Sequence, residues 1–166
     1  METQIIANQI QNGFNSIETS SLLQSLTNLG KHHGYHVYKP EQHEFSPFHL
    51  SGWSYDITWY DEDFDDELNV QQFRGLKMVC ETINNCKKFF VLESFYKLQL
   101  ANSELKILVI HHHTEEEYYQ ALLWCEFAAK SSINTGNSNF LLIGISDEST
   151  LICHQLGEDE NQEFKN

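Results

Sequence analysis

Hydrophobic residues recur with helical spacing in two segments of the chain. In the first segment they lie beside the pair Asn15 and Glu18, which resembles an N-cap with its reciprocal acid, and they are Ile17, Leu22, Leu23, Leu26 and Leu29. In the second they follow a capping box formed by Thr114 and Glu117, and they are Tyr118, Ala121, Leu122, Cys125 and Ala129. This spacing predicts an N-terminal amphipathic helix and a second helix over 115–131.

Alternating or continuous apolar runs rich in aromatic and β-branched residues predict strands. The clearest are WSYDITWY, in which Asp56 is embedded, and the continuous runs FFVLE and LKILVI, which are typical of buried central strands. Two final runs flank the turn-forming SDES and predict a C-terminal hairpin. The predicted strands are 35–39, 53–60, 89–93, 105–110, 140–145 and 150–156.

The segment between the second and third predicted strands is open to two interpretations. Five apolar residues fit one face of a helix, with a strand in part of the segment as the alternative: Phe73, Leu76, Val79, Cys80 and Ile83. Residues 40–52 are predicted to form a loop, and so are the acidic residues 61–67. The order of elements predicts an α/β fold, with a central mixed sheet flanked by helices.

Length and composition predict one domain. The chain has 166 residues, of which 40% are hydrophobic, so it is long enough to bury a substantial core. We expect a single α/β domain over 1–157 and a flexible acidic tail over 158–166. No apolar run reaches the roughly 18 residues of a membrane span, and the N-terminus lacks the features of a signal peptide, so we expect a cytoplasmic protein that does not contact a membrane.

The charge of the chain is strongly negative. Twenty-four acidic residues oppose 10 basic ones, which gives a net charge of −14, and Arg74 is the only arginine. This balance argues against a nucleic-acid surface, because such surfaces neutralise phosphates with clustered lysine and arginine. Acidic residues fill six of the seven positions over 61–67. That segment is either a solvated loop or a surface for a basic protein partner.

Candidate chemistry rests on two carboxylates in apolar surroundings. Glycine-rich phosphate loops, nucleophile elbows and dinucleotide fingerprints are absent from the sequence. Asp56 and Glu93 each lie within a predicted strand, and buried acids need a partner or a metal. Either each acid lies at a strand end and pairs with a lysine or backbone amides, or the two converge on a hard divalent cation.

Histidines and cysteines supply weaker candidates. His111 and His113 lie at the end of a predicted strand and project to the same face, where they could bind a transition metal or act as a general base. The alternative is that they are ordinary residues of a strand-to-helix turn. The four cysteines lack a Cys-x-x-Cys spacing, which predicts free thiols rather than a zinc or redox site.

The succession of motifs resembles a known superfamily. A helix, then GYHVYK, GWSYDITWYDE, FFVLES, FYKLQLANSELKILVI and another helix are similar to the restriction-endonuclease-like superfamily, specifically its small bacterial members, over residues 20–145. The resemblance implies a restriction-endonuclease-like core, in which Asp56 and Glu93 would bind Mg²⁺ or Mn²⁺. The catalytic lysine of the motif falls at Phe95, and Lys97 matches a lysine that has migrated to the following helix.

Two functions are therefore predicted. The first, which Phe95 and the net charge narrowly favour, is a catalytically impaired restriction-endonuclease-like domain that binds a basic protein through its acidic face. The alternative is a divalent-metal-dependent nuclease that uses Asp56, Glu93 and Lys97 for phosphodiester hydrolysis.

Overall fold

The computed structural model describes residues 8–10, 18–40, 55–66, 69–131 and 139–156. Within them, an α/β fold consists of three helices and six strands, preceded by helical residues at 8–10. The elements in chain order are α1 (Thr19–His32), β1 (His36–Tyr38), β2 (Ile57–Asp65), β3 (Val70–Ile83), α2 (Lys88–Leu100), β4 (Ser103–His112), α3 (Glu115–Ser131), β5 (Asn139–Ser146) and β6 (Leu151–Leu156).

The six strands form one mixed sheet in chain order, from β1 at one edge to β6 at the other. The pairs β1–β2, β2–β3 and β5–β6 are antiparallel, whereas β3–β4 and β4–β5 are parallel. Parallel neighbours need a crossover connection, and α2 and α3 supply the two that are required. The prediction of a mixed sheet flanked by helices is confirmed.

Each face of the sheet packs against helices. On one face, Leu22 and Leu26 of α1 pack with strand residues such as Trp59 and Ile107. On the other face, α2 and α3 share a second core with alternate strand residues, because neighbouring residues of a strand point to opposite faces. Gly30 permits the close approach of α1, since a Cβ there would lie 2.6 Å from the Trp59 indole nitrogen.

Two predicted elements are wrong, and they are neighbours in the chain. The predicted helix over 73–83 is part of strand β3, which pairs with β2 on one side and β4 on the other. The predicted strand over 89–93 lies in helix α2, whose buried residues Val91, Phe95 and Leu98 recur with helical spacing. A short apolar run fits both structures, and the packing partners decide between them. The Phe95 side chain is therefore a core residue of a helix.

The predicted acidic loop is largely a hairpin. Strand β2 continues to Asp65 and pairs with β3 as far as Val70. Strand β1 reaches only Tyr60, and the first residue of β3 that pairs with β4 is Leu76. Residues 61–65 and 70–75, which we call the acidic hairpin, therefore extend beyond the rest of the sheet as a two-stranded ribbon.

The other predicted elements within the described residues are confirmed. Helices α1 and α3 and strands β1, β2, β4, β5 and β6 lie where the sequence pattern predicts them, with α3 capped reciprocally by Thr114 and Glu117. Asn15, the predicted loop beyond Pro40 and the acidic tail lie outside the described residues. No helix in the described part of the chain is both long and apolar enough to cross a membrane.

Candidate functional site

Polar side chains lie at the end of the sheet where strands β3, β4 and β5 terminate. We call this end the carboxyl edge; it is distinct from the outer strands β1 and β6. Strand β2 runs antiparallel to β3, so its first residues lie at the same edge. In open α/β sheets, ligands commonly bind beyond the carboxyl ends of the parallel strands. The polar residues at this edge are Asp56, Glu81, Thr82, His111, His112, His113 and Asp147.

Asp56 immediately precedes β2 and is held by its neighbour strand. Its backbone N–H donates to the Cys80 carbonyl oxygen at 2.9 Å. Its Oδ2 accepts a hydrogen bond from the Thr82 backbone N–H at 2.6 Å and another from the Thr82 hydroxyl. The second oxygen, Oδ1, accepts no hydrogen bond from any described residue. Thr82 thus fixes the Asp56 carboxylate while leaving one oxygen available.

Glu81 lies on β3, near Asp56. The antiparallel register of the two strands ends at Ile57 and Cys80, so Asp56, one residue before Ile57, lies at the same end of this strand pair as Glu81. The pKa of the Glu81 carboxyl is raised to about 7 as the net result of three influences: burial, which raises it most, the contact with Lys97, which lowers it, and the nearby Asp56 carboxylate, which raises it. In this partly desolvated site, the surrounding positive charge is thus too small to balance two neighbouring carboxylates.

Lys97 reaches the same carboxylates from helix α2. Its Nζ donates to Glu81 Oε1 at 2.5 Å and lies 4.9 Å from the centre of the Tyr55 ring. The Tyr55 hydroxyl donates in turn to the Lys97 carbonyl oxygen at 3.3 Å. Burial, with a contribution from Glu81, raises the pKa of Tyr55 to about 12, so the phenol stays protonated at neutral pH. The lysine is therefore held over the strand acid by contacts at both its ends.

Glu93 is not part of this group. It is an exposed residue of α2, one helical turn before Lys97, whereas the Lys97 ammonium contacts Glu81. Three residues are predicted for the site: Asp56, Glu93 and Lys97. Asp56 and Lys97 lie in one cluster, in which Glu81 takes the place expected for Glu93. The sequence carried a signal for Glu81, because a single acid interrupts the apolar run MVCETI in the same way as Asp56 interrupts its own strand.

His111 and His113 have different hydrogen-bond partners. The His111 Nε2 contacts the Thr19 hydroxyl on the α1 side of the sheet, and burial lowers the pKa of its imidazole. The exposed His113 pairs through Nδ1 with Asp147 Oδ2 at 2.7 Å, and this hydrogen bond raises the pKa of the His113 imidazole. Among the described residues, His111 and His113 belong to no group of three side chains that could hold a metal ion.

A shallow cleft lies beside the histidines, over the ends of β4 and β5. It has a volume of about 360 Å³ and is lined by His112, His113, Glu115, Ser146, Asp147, Glu148, Thr150 and Ile152. His112 is buried, and its Nδ1 is 2.9 Å from the Thr114 carbonyl oxygen, which makes Nδ1 the protonated nitrogen. This arrangement ties the end of β4 to the start of α3.

Asp56 and Glu81 carry carboxylate oxygens, which are the ligands that hard divalent cations take. Within the described residues, no group of three or more histidine, cysteine, aspartate or glutamate side chains could hold a metal ion. Mg²⁺ nevertheless needs only one or two carboxylates, because it retains several of its waters and takes further oxygens from a phosphate substrate. An uncommitted Asp56 oxygen and the raised pKa of Glu81 both match a site that gains stability from an added positive charge.

The four cysteines are free thiols, two of them buried, as the sequence predicts.

Comparison with known proteins adds no relative, since no family model, curated protein or solved structure matches this chain.

Proposed function

We propose that this chain is a divalent-metal-dependent phosphodiesterase of restriction-endonuclease-like fold that acts on nucleic acid. Asp56 and Glu81 would bind the cation, and Lys97 would supply the positive charge beside them. One observation carries the proposal: two carboxylates from adjacent strands and a helix lysine converge at the carboxyl edge of the sheet. A merely structural ion pair needs one acid, whereas a second acid beside it costs stability.

The fold is compatible with the resemblance noted from the sequence. The strand that carries Asp56 leads directly into the strand that carries Glu81, and a helix follows. With Glu81 as the acid of the second motif, the lysine position two residues later is Ile83. The migrated lysine of the following helix is then Lys97, whose Nζ does contact the acid. In this proposal Phe95 no longer interrupts the motif, because the motif lies on β3.

Each residue of the site would have its own role in hydrolysis. When bound, a divalent cation supplies Lewis acidity and neutralises charge on the phosphodiester. Thr82 holds the Asp56 carboxylate in one orientation, and Glu81 lies near it on the next strand. The Lys97 ammonium, which contacts Glu81, would place positive charge beside an anionic phosphate oxygen. Tyr55 orients the lysine through its ring and its hydroxyl.

Metal titration tests the proposal directly. We expect Mn²⁺ and Mg²⁺ to bind the wild type saturably in calorimetry, and binding to be lost in Asp56→Asn and in Glu81→Gln. Glu93→Gln is the matched control, because it removes a glutamate that lies on the outside of α2, and it should bind like the wild type. Equal binding by the wild type and the Asp56→Asn, Glu81→Gln double variant would refute the site.

Cleavage assays test the chemistry separately. With Mn²⁺ present, the wild type should degrade single-stranded or duplex nucleic acid, and Lys97→Ala should lose activity by about 100-fold or more, because a charge aimed at the transition state is removed. Lys97→Ala should still bind the cation, since both carboxylates remain. A Lys97→Ala variant with full activity would remove the lysine from the mechanism.

A second candidate is an acidic module that binds a basic protein. The observation behind it is the acidic hairpin, which extends beyond the sheet in a chain of net charge −14. Neutralising Asp61 and Asp63 of the acidic hairpin, together with Asp66 in its turn, to asparagine should then weaken binding of a basic protein, and the difference should shrink as salt is added. Unchanged affinity of the triple variant would exclude the hairpin as the contact.

A further inference from the structure

Helices α2 and α3 expose large apolar side chains on their outer surface, away from the sheet. Seven of these residues form what we call the apolar helix face: Phe89, Phe90, Tyr96 and Leu100 of α2, and Tyr119, Leu123 and Phe127 of α3. The most exposed are Phe127, with 75% of its surface accessible, and Phe89, with 70%. Exposed apolar surfaces of this kind on a charged protein mark interaction sites.

The apolar helix face is additional to the side of the helices that packs on the sheet. Helix α2 already packs Val91, Phe95 and Leu98 into the core, and α3 packs Tyr118, Ala121, Leu122, Cys125 and Ala128. On α3 the exposed residues recur every four positions, which gives a continuous outer stripe. Large side chains of 150–250 Å² each, about half exposed, sum to roughly 700 Å², close to the 800 Å² per partner of a specific interface.

Charged residues of both signs lie at one end of this face. Helix α2 starts at Lys88, preceded by Lys87, and α3 starts with Glu115 and Glu116; all four are exposed. None of them forms an ion pair with another described residue. Lysines at a helix N-terminus face the positive end of the helix dipole, which is unfavourable unless an anionic group lies nearby. The chain itself carries such a group, at the start of the other helix.

The two helices run in the same direction. Each follows a parallel strand and begins at the carboxyl edge of the sheet, and both pack on the same face. A half-turn about an axis parallel to them would lay α2 of one copy on α3 of another, with their starts level. The spans 88–100 and 115–127 are equal, each about 20 Å long. Lysines would then meet glutamates at one end, and Leu100 would meet Phe127 at the other.

We propose that the apolar helix face binds a second copy of this chain in a twofold dimer, with α2 of each copy on α3 of its partner. The face is complementary to itself, since it carries its cationic and anionic ends on different helices. A basic partner would match only the glutamate end. The net charge of −14 opposes association at long range, but salt screens that repulsion beyond about 8–10 Å, whereas the contacts of the face are shorter.

Sedimentation equilibrium tests the proposal on the full chain at physiological salt. The wild type should sediment with twice its mass of 19.4 kDa at micromolar concentration. Leu123→Ser with Phe127→Ser should give a monomer. The matched control, Phe64→Ser with Phe73→Ser, removes two comparably exposed residues from the acidic hairpin and should leave the dimer intact. A monomeric wild type, or a dimer lost in the control and retained in the α3 variant, overturns the proposal.

Charge reversal tests the orientation of the two copies. Lys87→Glu with Lys88→Glu should be monomeric, because glutamates would face glutamates, and Glu115→Lys with Glu116→Lys should be monomeric for the converse reason. Mixed together, these two variants should form a dimer, since each contact again joins opposite charges. The recovered dimer would also demonstrate that both variants fold. A mixture that stays monomeric, or variants that each dimerise alone, would refute this arrangement.

Discussion

The antiparallel pair of β2 and β3 has carboxylates at both of its ends, but the surroundings of these carboxylates differ. At the carboxyl edge of the sheet, Asp56 and Glu81 lie near each other, and burial raises the pKa of Glu81 to about 7. At the other end, the acidic hairpin carries more carboxylates. In its ion pair, the side chains of Asp63 and Arg74 are both exposed. Convergence and burial, rather than the number of acids, make a carboxylate chemically useful.

The largest expected effect is a difference in metal-dependent cleavage between variants at the two ends of strands β2 and β3. Glu81→Gln and Asp56→Asn should each abolish metal-dependent cleavage, because one of only two cation ligands is lost. Asp61→Asn with Asp63→Asn should keep at least the wild-type rate, because fewer negative charges repel the substrate. Cleavage of a labelled oligonucleotide with Mn²⁺ measures all three variants. Loss of activity in the hairpin variant alone would reverse the assignment of the two ends.

The next effect concerns stability and pH in the absence of metal. Because the folded-state pKa of Glu81 is raised to about 7 from its ordinary 4.5, the folded chain binds the proton more tightly than the unfolded chain. Its contribution is therefore favourable at low pH and is lost as the pH rises from 4.5 to 7. Glu81→Gln should be more stable than the wild type at pH 8, by roughly 2 kcal/mol, and should lose this advantage near pH 4.5.

Urea unfolding at the two pH values measures this difference. Asp63→Asn is the control from the acidic hairpin, and it should change the free energy of unfolding by less than about 0.5 kcal/mol at either pH. A Glu81→Gln variant that is less stable than the wild type at pH 8 would mean that the ionised acid stabilises the fold through Lys97.

A smaller effect concerns the group that orients Asp56. Thr82→Val removes the hydroxyl that donates to Asp56 Oδ2 but keeps the backbone donor, so metal affinity should fall by about 10-fold. Thr82→Ser retains the hydroxyl and should bind metal like the wild type. If valine and serine weaken binding equally, the effect comes from packing on β3 rather than from the hydrogen bond.

The smallest effect is expected at the exposed ion pair of the hairpin. Arg74 Nη2 lies 2.7 Å from Asp63 Oδ2, with more than half of each side chain accessible to solvent. Such pairs contribute little, so Arg74→Ala should change the free energy of unfolding by less than about 0.5 kcal/mol, measured by urea denaturation. A loss above about 1 kcal/mol would mean that the hairpin depends on this contact for its structure.

Much of the fold could be predicted from the sequence, because several elements carry signals that tertiary contacts do not reverse. The capping box of Thr114 and Glu117 starts α3 as predicted, and LKILVI lies in a central strand. The errors fall where a local pattern fits both structures. Residues 73–83 show helical spacing, yet pairing with strands on both sides determines their conformation.

Part of the candidate site is predicted from the sequence. Asp56 is predicted as an acid within a strand, and Lys97 as the migrated lysine that the resemblance implies. Glu81 was missed because its segment was predicted as a helix, so that its acid had no strand neighbour. The resemblance then assigned the acid role to Glu93, which lies on the outside of α2. Only the pairing of β2 with β3 brings Asp56 near Glu81.

Every strand of the sheet lies next to the strand that precedes it in the chain. No strand has to be inserted between two strands that have already paired, so each pairing closes only the connection just completed. Short loop closures lower the entropic barrier to folding, and topologies with local contacts fold faster than those with distant ones. The sheet can therefore form from β1 to β6 in the order in which the ribosome synthesises the strands. Lys97 joins the carboxyl edge after Glu81, because helix α2 follows strand β3 in the chain.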